Sequence, residues 1–160
     1  MKISKRKAIY WGEARGASAS ARKDTTYLFG TTLIYHAPDF ISFENPLMAS
    51  GQILHEWSSS CQYQEERLTP TLPLLKKGKQ YRIIRKMESF PEFSVFFKIS
   101  FLNRYGEEIG NKVEREDILT FTYPLEAYSY KIQLLSAGLL SFDFHYLELQ
   151  AINEEVDDKK

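Results

Sequence analysis

The side chains that could do chemistry are few. The histidines are His36, His55 and His145, and the one thiol is Cys61. His55-Glu56 opens like an HExxH zinc helix, but Ser59 stands where the second histidine must be, so a metal there lacks a ligand. Each histidine lies in an aromatic-rich run, where a hydrogen-bonded structural imidazole is a commoner outcome than a shared zinc site. No metal and no cofactor is expected. Ser58, Ser59, Ser60 and Cys61 set nucleophiles beside His55, yet no GxSxG elbow presents a serine to a base, and such a run usually forms a polar loop. The carboxylate pairs Glu65-Glu66, Glu107-Glu108 and Glu154-Glu155 fall in polar stretches, where solvated charge outweighs a perturbed general acid. Neither GxGxxG nor a P-loop occurs to cradle a phosphate. The expectation is a protein that is not an enzyme.

Aromatic side chains are the better lead. A planar ring stacks on a sugar face or on an apolar partner side chain at low entropic cost. Trp11, Trp57, Tyr63 and Tyr105 lie near the ends of predicted strands. Trp11, His55, Trp57 and Tyr63 are the candidates for ligand or partner binding. The competing reading is that the core needs these rings, since tryptophan is highly buried on average.

The elements that must position them are strands. Tyr27 to His36 alternates with Tyr27, Phe29, Thr31, Leu33 and Tyr35 on one face; Phe40 to Phe43 and Gln52 to Trp57 follow. Gly78 supplies a turn before Tyr81 to Met87, and Asn103-Arg104-Tyr105-Gly106 turns Ser94 to Leu102 into Glu107 to Ile109 as a hairpin. Ile118 to Tyr123, Tyr128 to Leu135 and Ser141 to Leu149 complete the series, with Tyr128, Tyr130, Ile132 and Leu134 aligned. Ile9 to Gly12 reads as a short first strand, and Gln62 to Leu68 as one helical turn or a loop. About eight or nine short strands with Gly and Pro punctuation predict an all-β fold, a two-sheet antiparallel β-sandwich or jelly roll.

Composition fits one such domain. The chain has 160 residues, 43% hydrophobic and 26% charged, with 21 Lys and Arg against 21 Asp and Glu. A neutral balance gives no global field for nucleic acid. One cysteine excludes a disulfide framework and suits a reducing, cytoplasmic setting. Met1 to Tyr10 is basic without the apolar run of a secretory signal, and no stretch approaches the roughly 20 apolar residues of a membrane-spanning helix. The expected organisation is a basic arm with flexible insertion over 1–24, the sandwich over 25–150, and a disordered charged tail over 151–160. For the arm, contact with anionic lipid or an acidic partner is the weaker reading beside simple solvation.

Several strings together carry a family resemblance: Ile9-Tyr10-Trp11-Gly12, Tyr27-Leu28-Phe29-Gly30-Thr31-Thr32, Phe43-Glu44-Asn45-Pro46-Leu47-Met48 and His55-Glu56-Trp57. Pro70-Thr71-Leu72-Pro73-Leu74-Leu75-Lys76-Lys77-Gly78, Arg104-Tyr105-Gly106-Glu107 and the run Thr122 to Leu134 extend it. In order over roughly 8–149, these resemble the third of the small accessory Sec system proteins of Gram-positive bacteria. The Ala- and Ser-rich insertion between Gly12 and Tyr27 departs from the pattern. The resemblance implies a carbohydrate-binding-module-like β-sandwich and a cytoplasmic, non-enzymatic subunit, with peripheral contact at the inner face of the cell membrane. Its implied partners are two larger accessory Sec proteins, the accessory SecA motor and a serine-rich repeat adhesin preprotein bound for export. Within that setting two mechanisms stand open: an adaptor whose sheet faces or edges dock partners and extended chain, or a lectin-like module holding N-acetylglucosamine on the modified adhesin.

Overall fold

The computed structural model describes residues 2–11, 30–59 and 72–153, with backbone alone at 2–6 and 153. Ten strands run through them: β1 (Lys2–Ile9), β2 (Thr32–Ala37), β3 (Phe40–Glu44), β4 (Ile53–Ser58), β5 (Gln80–Phe90), β6 (Val95–Leu102), β7 (Glu108–Glu114), β8 (Ile118–Thr122), β9 (Ser129–Ser136) and β10 (Ser141–Asn153). One six-stranded sheet has the order β2-β3-β10-β5-β8 with β1 also on β10; the other is β4-β9-β6-β7. Every pairing is antiparallel.

Alternation explains the packing. In β6, Val95, Phe97, Ile99 and Phe101 point inward, and in β9, Tyr130, Ile132 and Leu134 meet them across the same sheet. Ile41, Phe43, Ile83, Leu119, Phe121, Phe142 and Phe144 close the core from the six-stranded side. β10 is the spine. It pairs with β5 along most of its length, with β3 through residues 141–144, and with β1 through residues 147–153.

Two expected boundaries move. The first strand is Lys2–Ile9, not residues 9–12, and Tyr10-Trp11 leaves it as irregular chain. The basic segment can be a strand because the C-terminal half of β10 offers it a ladder, which its own polar composition does not reveal. β10 likewise continues to Asn153, beyond the expected end of the sandwich at residue 150, with β1 pairing it there. Residues 12–29, 60–71 and 154–160 lie outside the described residues, and with them the insertion, Tyr27, Phe29, the Gln62 to Leu68 segment and the charged tail. No helix among the described residues is long and apolar enough to cross a membrane.

One buried cation ties the two sheets. Arg85, 4% exposed, donates from Nη1 to Val95 O at 2.5 Å and from Nη2 to Arg115 O at 3.0 Å. Its Nε reaches Asp117 Oδ1 at 3.3 Å, and its guanidinium lies 4.8 Å from the Phe97 ring centre. Burial lowers its pKa, with Asp117 and then Glu114 pulling it back up; a guanidinium nevertheless keeps its proton.

Candidate functional site

Three of the four candidate residues meet, but inside the core. Trp11 and Trp57 are each 2% exposed and His55 is 3% exposed. The Trp11 ring stacks on His55 at 3.8 Å between centroids and 13° between planes, while Trp57 meets it edge-on at 6.1 Å. Phe43, Phe142 and Phe144 complete the cluster. The irregular Tyr10-Trp11 segment is tied down by the rings it covers: Trp57 Nε1 donates to Tyr10 O at 2.7 Å, and His55 Nε2 donates to Trp11 O at 2.8 Å. Trp11, His55 and Trp57 therefore present no ring face to a ligand, and the expected platform is corrected to a core cluster. They are buried because β4 turns both His55 and Trp57 inward and Trp11 folds over them. Tyr63, with Ser60 and Cys61, lies outside the described residues.

The histidines do not converge. His36 and His145 flank Phe40 on the outer face of the six-stranded sheet, stacked on it at 4.3 and 5.2 Å. Beside them, Ser42 Oγ donates to Asp143 Oδ1 at 2.8 Å and lies 2.9 Å from His36 Nε2. The hydroxyl has one proton and Asp143 takes it, so His36 must donate. Serine is thus the middle member: its proton points to a carboxylate and not to the imidazole, so the three do not form the serine, histidine, aspartate order in which histidine is the base. No cluster of three metal-ligating side chains occurs among the described residues. Ser59 Oγ accepts from Tyr130 N at 2.9 Å, a loop anchor. Glu107 and Glu108 accept from Asn103 and Asn111 at exposed positions.

Two other surfaces emerge. On the outer face of the four-stranded sheet, register aligns Glu56, Gln133, Lys98 and Val113, and next to them Ser58, Lys131, Ser100 and Asn111. Gln133 Nε2 donates to Glu56 Oε1 at 2.9 Å, and Ser100 Oγ is buried there without a hydrogen-bond partner. The second surface is the end of the sandwich formed by residues 73–79, 103–107 and 123–128. Gly78 N donates to Tyr123 O and Tyr128 N to Leu102 O, both at 2.7 Å, so these loops are laced to one another and to the strand ends. Gly78 adopts φ +80°, the left-handed turn anticipated before β5. Tyr130 and Tyr123 lie beneath, and burial raises both phenol pKa values, Tyr130 strongly; Tyr130 Oη donates to Pro73 O at 2.6 Å.

That end exposes Leu74 at 90%, Tyr105 at 79%, Leu125 at 68% and Tyr128 at 67%. The sequence anticipates Tyr105 at a turn and aligns Tyr128 with Tyr130, Ile132 and Leu134; in the structure Tyr128 precedes β9 and is exposed, while the other three are buried. Leu74 and Leu125 were missed. The signal available was a leucine directly after a proline, outside any alternating run.

The fold defines the class, a two-sheet antiparallel β-sandwich. Solved structures that include carbohydrate-binding modules are matched at 9–12% identity and TM-scores of 0.43–0.49. The profile of the accessory Sec secretory system ASP3 family matches residues 26–151, and the chain belongs to that family. An accessory Sec system protein of this family from Streptococcus gordonii is 60% identical over 156 residues, covering 97% of this chain and 98% of that protein. A chain in the crystal structure of accessory secretory proteins 1, 2 and 3 of Streptococcus pneumoniae is 39% identical, with a TM-score of 0.81 over 95% of this chain and all of the other. The Glycosylation Associate Protein (Gap123) complex of Streptococcus agalactiae contains a chain 38% identical at a TM-score of 0.81, matched over 94% of this chain and 46% of that one.

Proposed function

We propose that this protein is a non-enzymatic assembly subunit of an accessory protein-export system. It binds two larger accessory Sec proteins and, through that complex, the accessory SecA motor, engaging a serine-rich repeat adhesin preprotein at the cytoplasmic side of the membrane. One observation carries the reading: a structurally matching chain, covered in full at a TM-score of 0.81, belongs to a crystal structure of accessory secretory proteins 1, 2 and 3. The β-sandwich suits the role because its rigid sheets can offer several faces at once, while binding needs no rearrangement of the core.

A second reading is a lectin-like module for N-acetylglucosamine on the modified repeats. What favours it is the polar outer face of the four-stranded sheet, where the half-buried Glu56, Lys98 and Lys131 lie side by side, and not Trp57, which the core seals. Weak contacts repeated along a modified chain would add through avidity. Titrating glycosylated and unglycosylated serine-rich repeat peptide onto the isolated protein and onto the co-purified complex separates the two. Capture by the complex regardless of sugar, with none by the isolated chain, supports the adaptor. Binding by the isolated chain to the glycosylated peptide alone supports the lectin.

A further inference from the structure

We infer that the sandwich end carrying Leu74, Tyr105, Leu125 and Tyr128 docks one of the two larger subunits, through a surface on that partner that is apolar and rimmed by carboxylates. The inference rests on the assembly reading above and says where the assembly is made. Four large apolar side chains, each at least 67% exposed, come from three loops at one end of the molecule. Isolated exposed apolar residues need no explanation, but four gathered at one end match the composition of interface centres, where tyrosine is enriched.

The end is also preorganised. Tyr128 N and Gly78 N are bonded across loops, Lys76 N donates to Tyr81 Oη at 2.8 Å, and Asn103 Oδ1 accepts from Tyr105 N at 2.9 Å and Glu107 N at 3.0 Å. Fixed loops lose little backbone freedom on association, so more of the contact energy appears as affinity.

Charge selects the partner. Around this end stand the exposed cations Lys76, Lys77, Lys79 and Arg104, against Glu107, Glu108 and Glu126, of which Glu108 accepts from Asn111 Nδ2 at 2.6 Å. Glu107 already accepts from Asn103 Nδ2 at 2.9 Å. The opposite end differs: Leu47 and Phe90 are exposed there, but Glu44, Glu88 and Glu92 flank them. A basic rim around an apolar centre calls for an acidic rim on the partner, and the same partner surface is repelled by the acidic end.

The test uses the full chain with the two larger accessory Sec proteins, purified as a pair and titrated. The combined variant Leu74→Ser, Tyr105→Ser, Leu125→Ser and Tyr128→Ser is expected to bind about thirty-fold more weakly, with its melting temperature near that of the parent. A charge variant, Lys77→Glu with Lys79→Glu and Arg104→Glu, leaves the apolar side chains in place. It is expected to associate about ten-fold more slowly at low salt, an effect that fades as salt rises. Parent-like binding by the folded four-residue variant overturns the inference. So does loss of binding confined to Leu47→Ser with Phe90→Ser at the acidic end, or a free protein that dimerises and becomes monomeric in the four-residue variant. A parent protein that binds neither larger subunit overturns the assembly reading itself, and the docking face with it.

Discussion

Two aromatic groups of similar chemistry have opposite fates in this molecule. Around Trp11, the rings of His55, Trp57, Phe43, Phe142 and Phe144 are sealed from solvent. At the basic end, Tyr105 and Tyr128 lie open. The difference comes from what precedes each residue. His55 and Trp57 occupy a strand whose inward face is the sandwich core, whereas Tyr105 sits in a turn and Tyr128 just before β9 begins. Residue type alone does not distinguish a binding ring from a core ring: His55 and Trp57 are buried by the inward face of a strand, Trp11 by folding over them from outside any strand, and Tyr105 and Tyr128 have neither cover.

The sharpest way to break this comparison is to truncate the buried ring. Trp57→Ala removes a core side chain that also donates to Tyr10 O, and is expected to cost about 3–5 kcal/mol. That corresponds to a fall of roughly 10 °C in melting temperature, readable by calorimetry or circular dichroism. A variant that melts like the parent would mean the ring does not pack as described. Next comes Arg85→Leu, which takes the guanidinium donor from the buried carbonyl of Val95 and the part-buried carbonyl of Arg115 and frees Asp117. A loss on the order of 2–3 kcal/mol is expected, from two acceptors stripped of partners and only partly recovered by apolar burial. Little change in the urea midpoint would contradict that assignment.

Much of the fold was legible. β6, β8 and β9 lie within a residue or so of the expected runs because their alternation is strict and their ends carry Gly or Pro. At β7 the sequence supports only Glu107 to Ile109, whereas the strand runs from Glu108 to Glu114, since Asn111, Lys112 and Glu114 are polar and only pairing with β6 makes them a strand. β1 was misplaced for the same reason: Lys2 to Lys7 gains its conformation from β10, a partner more than a hundred residues away. The site was less legible still. Which side of a sheet faces inward follows from how the sheets stack, and no local pattern around Trp11 records that it folds over His55.

Smaller effects sharpen the contrast at the basic end. Tyr130→Phe deletes a hydroxyl that donates to Pro73 O and is expected to cost about 1 kcal/mol near neutral pH. The same hydroxyl sets an alkaline limit. Burial raises its pKa, so the folded chain holds this proton more tightly than the unfolded chain does. The resulting stability is fully present below the ordinary tyrosine pKa of about 10 and is lost as pH rises above it, when the unfolded phenol ionises first. Tyr123, raised by burial and by Tyr81, adds in the same direction. Between pH 9 and about 11.5 the parent should therefore lose melting temperature more steeply than Tyr130→Phe; parallel curves would show that Tyr130 is not the group responsible.

The smallest expected change is the most informative. Tyr105→Ala and Tyr128→Ala each remove a ring that is more than two-thirds exposed, so each should alter stability by no more than about 0.5 kcal/mol. Trp57→Ala and Tyr128→Ala thus each delete an aromatic ring with effects differing several-fold, a ratio set by burial together with the hydrogen bond that Trp57 gives to Tyr10 O. A large destabilisation by Tyr128→Ala would move that ring into the core and remove it from the docking face. A silent change shows that the fold places no demand on the ring, and its contribution is then read from the titration against the two larger subunits, where a docking residue weakens binding and a merely exposed one does not.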